Sequence, residues 1–99
     1  MADPVVTLNE AAGRFEAQVD CETAFAEFQV ADGVITFPHT VVPDAIEGQG
    51  VGSALVRAGL DHARAQGLKV KPRCSFFARY MAKHSETQDL LHPDFKDRL

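Results

Sequence analysis

Four groups of residues in this chain have the types and spacing of reaction chemistry. Cys74 follows the basic run Lys69-Val70-Lys71-Pro72-Arg73 and directly precedes a segment patterned as a helix. Cations and a helix start favour the thiolate, which is the nucleophilic form. The competing reading is a small apolar residue packed at a strand end. His39, in a β-rich run, is the best general base by residue type, because an imidazole titrates near neutral pH. A lone strand histidine is also commonly structural, and Glu27 on the neighbouring strand is the weaker alternative base. The third group is Glu-Gly-Gln-Gly-Val-Gly-Ser, residues 47–53, with three glycines in five positions at the mouth of a helix. A helix N-terminus exposes unpaired N–H groups and a positive dipole end, and glycines let an anion approach that backbone. Glycines there also serve close packing alone. The fourth pair, Tyr80 and Lys83, lies one turn apart on the next helical segment, where both can reach a ligand or simply edge the core and the solvent.

Other reactive residues are excluded by spacing. His62, His84 and His92 lack metal-ligand spacing, and no metal is expected. Cys21 lies in a tight acidic turn. Two cysteines make no disulfide framework and read as free thiols of a cytoplasmic protein. The glycine loop lacks the Lys-Ser/Thr pair of a nucleotide-triphosphate loop. A dinucleotide fingerprint would need a small residue at position 55, where Leu55 stands, and would follow a first strand.

The elements that must position these residues follow from periodicity. Val5–Leu8 and Arg14–Val19 read as strands, and Ala24, Ala26, Phe28 and Val30 alternate against Phe25, Glu27 and Gln29. Asp32–Gly33 is a hairpin signal, and Val34–Val42 is a β-rich run that Pro38 should bend. The first 42 residues therefore read as an antiparallel meander of four strands. Gly50–Gln66 is patterned as a largely buried helix that Gly67 stops, and Leu68–Arg73 as a strand. Ser75 can cap a second helix, and Ser85-x-x-Gln88 is a capping-box signature for a last short one. The fold class is α+β, one domain over residues 1–99: four antiparallel strands, then helix, strand, helix.

This arrangement resembles the GNAT superfamily of acyl-CoA N-acyltransferases. Residues 47–52 occupy its pyrophosphate loop, and HTVVPDAIEGQG, GSALVRAGLDHARAQGLKVKPRC and SFFARYMAKH look like its small stand-alone GNAT-like members. The resemblance spans roughly residues 13–92. It implies acetyl-CoA as co-substrate, with Val41 and Val42 pairing to the pantetheine amides and Gly48, Gln49, Gly50, Val51, Gly52 and Ser53 around the pyrophosphate. It further implies Tyr80 and Lys83 near the cofactor, and acetylation of an amine. Two routes stay open: direct transfer with His39 as base, or an acyl intermediate on Cys74. Two departures stand out. Glu47 replaces the Arg or Gln usual in the motif, so backbone N–H groups must do more of the work. The chain also lacks the flanking elements that build the acceptor side in longer members.

Composition bounds the partners. The 99 residues carry a net charge of −4, with 45% apolar and 24% charged residues. Residues 1–50 hold nine acids and one base, whereas six bases and no acid lie between Asp61 and Glu86. A basic patch on an acidic chain points to a local anion site rather than to nucleic acid, and the acidic meander to a cationic acceptor such as a polyamine or lysine-rich peptide. No apolar run approaches the roughly 18 residues of a membrane span, and MADPVVTLNE has no secretory-signal pattern. The rival readings are a non-catalytic CoA-binding or regulatory module and an interaction domain whose glycines only pack.

Overall fold

The computed structural model describes residues 4–96. Its elements are β1 (Val6–Asn9), β2 (Arg14–Val19), β3 (Glu22–Glu27), β4 (Gln29–Ala31), β5 (Val34–Phe37), β6 (Thr40–Val41), α1 (Val51–Gln66), β7 (Lys69–Pro72) and α2 (Ser75–Lys83). Short 3-10 turns follow over Ser85–Leu90 and Pro93–Phe95. The architecture is a mixed α/β fold in which an antiparallel meander precedes the helices.

Two hairpins set the register of the meander. Val19 pairs with Glu22 across Asp20 (φ 51°) and Cys21 (φ 66°). Ala31 pairs with Val34 across Asp32 (φ 54°) and Gly33 (φ 76°). Two central residues at positive φ make type I′ turns, whose twist matches that of the flanking strands. On β2 and β3 the alternation puts Phe15, Ala17, Ala24 and Ala26 inward, and all four are buried. The three alanines are small enough to let α1 settle close to the sheet, which it does with Val51, Ala54, Leu55, Val56, Gly59, Leu60 and Ala63.

Two runs that read as continuous strands are broken, and each half joins a different sheet. The run 24–30 breaks at Phe28, where the chain passes from β3 to β4 while its N–H still donates to the Gly13 carbonyl at 2.9 Å, in register with the β2–β3 ladder. The run 34–42 breaks at Pro38–His39, as proline's missing donor demands. One sheet has the order β1-β2-β3-β6 and the other β4-β5-β7, with β5 and β7 parallel. The chain therefore forks after Phe37. The Cys74 N–H still donates to the Phe37 carbonyl at 3.0 Å. Beyond that bond β6 leans back onto β3 and, among the described residues, is an edge strand unpaired on its β7 side.

Below the fork, Phe37 and Phe77 stack with ring centroids 3.9 Å apart, both fully buried. Gly59 of α1 presses on this stack. A Cβ there would lie 2.9 Å from Phe37 Cε1 and 3.0 Å from Phe77 Cε2.

Two expected caps are corrected. Cys74, not Ser75, is the N-cap of α2, with φ −85° and ψ 150° and no side-chain capping bond. The bond to Phe37 already holds Cys74 extended, and Ser75 falls one position too late. Ser85-x-x-Gln88 forms no capping box. Gln88 Nε2 donates back to the Met81 carbonyl at 3.0 Å, and Thr87 Oγ1 to the His84 carbonyl at 2.7 Å. The last short helix is present without that box, as a 3-10 helix over Ser85–Leu90.

The C-terminal segment folds against β7. Leu91 forms a parallel bridge with Val70, and the His92 N–H donates to the Val70 carbonyl at 2.9 Å. The Arg64 guanidinium grips both Asp89 carboxylate oxygens at 2.8 and 2.9 Å. That hydrogen-bonded pair holds the Asp89 carboxyl below its ordinary pKa.

Candidate functional site

The site begins with the loop before α1. Pro43 starts a short turn over Asp44–Ile46, and buried Ile46 anchors it. Gly48 (φ 82°) and Gly50 (φ 78°) then take left-handed backbone that glycine adopts freely. No atom comes within 4 Å of where a Cβ would stand at either glycine, so this backbone is open. Gly50 is the N-cap and brings no capping oxygen. The first helical bond runs from the Ala54 N–H to the Gly50 carbonyl at 3.0 Å. The N–H groups of Val51, Gly52 and Ser53 precede that ladder and have no intrahelical acceptor. The first turn contains no acidic residue to neutralise its positive dipole end.

Two clefts meet at this turn. The first, about 330 Å³, lies between Val42, the loop from Glu47 to Ser53, and Phe76. The second, about 340 Å³, lies between the first turns of α1 and one face of α2, lined by Phe76, Arg79, Tyr80, Lys83 and His84. Gly52, Ser53 and Phe76 border both. Gly52 is glycine for a second reason: a Cβ there would stand 2.6 Å from Phe76 Cε1. Among the described residues Arg79 and Lys83 have no ion-pair partner, whereas Arg14 pairs with Glu16, Arg64 with Asp89 and Lys71 with Asp94. Among the described residues Glu47 is the one carboxylate lining either cleft.

A glycine-mouthed helix beside a forked parallel strand pair is a family architecture, and the sequence model of the GCN5-related N-acetyltransferases matches residues 14–90. The chain belongs to the GCN5-related N-acetyltransferase family. It is similar to Protein NATD1 of Gallus gallus, 32% identical over 63 residues that cover 64% of this chain and 57% of that protein. Against Protein NATD1 of Homo sapiens the figures are 31% over 61 residues, 62% and 54%. The chain thus spans a little over half the length of the curated relatives it matches. The solution structure of a GCN5-like protein from Staphylococcus aureus matches with a TM-score of 0.70 and 30% identity, covering 93% of this chain and 91% of that one.

In this GCN5-related domain the residues singled out from the sequence fall into three places. Val42, Gly48, Gly50, Val51, Gly52 and Ser53 line the first cleft, and Tyr80 and Lys83 line the second with Gly52 and Ser53. Val41, Gln49, His39 and Cys74 line neither. Val41 is exposed on the edge strand β6, and Gln49 is exposed in the loop. His39 is exposed at the break before β6, and its carbonyl accepts from the Glu27 N–H at 2.9 Å. Cys74 is half-buried in the crotch of the fork, where its Sγ lies 3.1 Å from Thr40 Oγ1. Lys71, expected to act on this thiol, instead has its Nζ 4.0 Å from Asp94 Oδ2.

Sequence reasoning missed Thr40, Phe76, Arg79 and His84. The Thr40–Cys74 contact joins residues 34 positions apart and exists only because β5 and β7 run parallel. Phe76, Arg79, Tyr80, Lys83 and His84 do recur three and four apart, a helix-face signal that is readable once α1 is known to leave that face partly uncovered.

Proposed function

We propose that this protein binds acetyl-CoA across the fork and the first cleft and acetylates an amine. The observation behind this reading is the pairing of an unpaired strand edge, β6, with three unpartnered N–H groups at the start of α1. The edge offers backbone donors and acceptors to an extended amide chain by strand addition. The N–H groups of Val51, Gly52 and Ser53 suit a pyrophosphate, and the open backbone at Gly48 and Gly50 leaves room for it. The family generally uses acetyl-CoA, and these residues fit it.

When bound, acetyl-CoA supplies an activated acetyl thioester. The protein's own residues hold and orient it. In direct transfer the exposed His39 imidazole takes the proton of the incoming amine. In the covalent route Cys74 offers its thiolate, with the Thr40 hydroxyl hydrogen-bonded to the sulfur. The acidic first half of the chain, nine acids and one base over residues 1–50, favours a cationic acceptor.

Thermal unfolding with acetyl-CoA, and with ATP and NAD as controls, tests the reading. Ligand at a hundred times Kd adds about 2.7 kcal/mol, which is roughly 10–20 °C for a domain of this size. A shift with acetyl-CoA alone supports it, and no shift at millimolar ligand rejects it. Cys74→Ala with full activity removes the covalent route, and His39→Ala with an unchanged pH–rate profile removes His39. Binding without turnover over a wide amine panel converts the reading to a non-catalytic CoA-binding module.

A further inference from the structure

We infer that two copies of this protein pair through the outer face of the sheet, each setting its basic strand β7 against the acidic strands β2 and β3 of the other. The first observation is a missing layer. On the inner face Ala17, Ala24, Ile35 and Val70 are buried. Both helices lie on that side, since Phe37 of β5 meets Gly59 of α1 and Phe77 of α2. On the opposite side, among the described residues, no outward residue of β2, β3, β4, β5 or β7 is buried. Antiparallel strands commonly leave one face in water, but parallel strands are almost always covered on both. Here β5 and β7 are parallel, and their outer face is bare.

The charge on that face is divided. Lys69 and Lys71 occupy successive outward positions of β7, about 6.6 Å apart, and Arg73 is exposed just beyond. Glu16 and Glu27 stand outward on β2 and β3. Arg14 is occupied there: it pairs with Glu16 and lies over the Phe25 ring. Among the described residues Glu27 and Arg73 have no ion-pair partner. Between the two halves the outward residues include Ala31, Val34 and Thr36, all small or uncharged.

Shape follows the same division. A hollow of about 510 Å³ lies on the acidic half, lined by Val5, Thr7, Arg14, Glu16, Gln18 and Thr23. Its hydroxyl, amide and carboxylate groups suit a long side chain with an apolar stem and a cationic tip. Lys69 and Lys71 present such side chains on the other half. A second copy is therefore the occupant that fits. When two faces pack about a two-fold axis lying between them, each residue meets what stands on the far side of the axis in its copy. With the axis along the central strands, β7 of each copy faces β2 and β3 of the other. That operation also keeps the strands of the two sheets aligned, as packed sheets prefer. A free cationic ligand would satisfy the acids and leave the lysine row bare, whereas a second copy satisfies both.

Sedimentation equilibrium over about 1–500 µM protein tests the pairing, since a polar interface with few apolar anchors associates at about micromolar affinity. The native chain should dimerise, and about tenfold more weakly at about 0.5 M than at about 0.05 M salt. Lys71→Glu/Arg73→Glu and Glu16→Lys/Glu27→Lys should each dimerise at least about tenfold more weakly, because each sets like charges face to face. Melting of each variant checks that it is folded. Mixed in equal amounts, the two variants should associate about as tightly as the native chain, a rescue that damage to either fold could not produce. A native chain that stays monomeric throughout overturns the inference, and its capture of a lysine-rich peptide would assign the acidic half to another partner. Variants that dimerise like the native chain, or that fail to associate when mixed, overturn it as well.

Discussion

Alanine at Gly59 and alanine at Gly52 add the same methyl group to the same helix, with opposite expected consequences. At Gly59 the new carbon would lie 2.9–3.0 Å from the Phe37 and Phe77 rings. Ordinary carbon–carbon contact is about 3.5–4.0 Å, so something must yield by about half an ångström or more. Neither ring has an exit: both are fully buried and stacked on each other. Overpacking of this kind costs about 1–3 kcal/mol, offset by about 1 kcal/mol of gained helix propensity. We expect a net loss of about 0–2 kcal/mol, or up to roughly 15 °C in Tm. At Gly52 the clash is closer, 2.6 Å, but Phe76 is 40% exposed and swings outward. There we expect stability within about 1 kcal/mol of native and a loss of acetyl-CoA affinity, since the displaced ring borders both clefts. Urea unfolding of the two variants, with the slope compared to native, reads the first effect, and calorimetric titration the second. A Gly59→Ala protein more stable than native would refute the reasoning, because helix propensity would then be felt with no cost from the two rings.

The remaining predictions concern single groups. Cys21 holds φ 66° in a type I′ turn, so Cys21→Gly should stabilise by about 0.5–1 kcal/mol and raise Tm by a few degrees; an unchanged or lower Tm contradicts the turn strain. The Asp89 carboxyl is held below its usual value of 3.8 by Arg64, so its stabilising effect is present at neutral pH and lost as pH falls through the lowered value. Arg64→Gln should therefore melt lower than native at pH 7, with a gap that narrows only in acid; a gap constant with pH counts against the pair. Glu47→Gln should tighten acetyl-CoA by about two- to tenfold at low salt and less at high salt, by removing a carboxylate from the first cleft. No change on titration at 20 mM-scale ionic strength, on the order of a Debye length well beyond 10 Å, would mean that the anion lies elsewhere.

Local chemistry made much of the fold legible. The I′ turns, the Pro38 break, the alternation on β2 and β3 and the α1 boundary are written in adjacent residues. What stayed hidden was long-range. Phe28 ends β3 where one continuous run passes from the first sheet to the second, and Ser75 loses its capping place because Phe37 fixes Cys74. The loop glycines were readable as an anion mouth, but the pressure of Phe76 on Gly52 was not, since it depends on how α2 crosses α1. The Thr40–Cys74 contact belongs to the same class: each residue is unremarkable where it stands, and only the fork joins them.

The bridge between Leu91 and Val70 also bears on how the chain is made. During synthesis β5 and β7 can pair, and α1 can close over them, before residues 85–92 have emerged. Until then β7 presents bare backbone along one side, the kind of template that recruits another chain. The bond from the His92 N–H to the Val70 carbonyl and the Arg64 grip on Asp89 seal that side last. Fusions or deletions that delay residues 85–92 should therefore show themselves in the yield of soluble protein from the ribosome rather than in the properties of the molecules that finish folding.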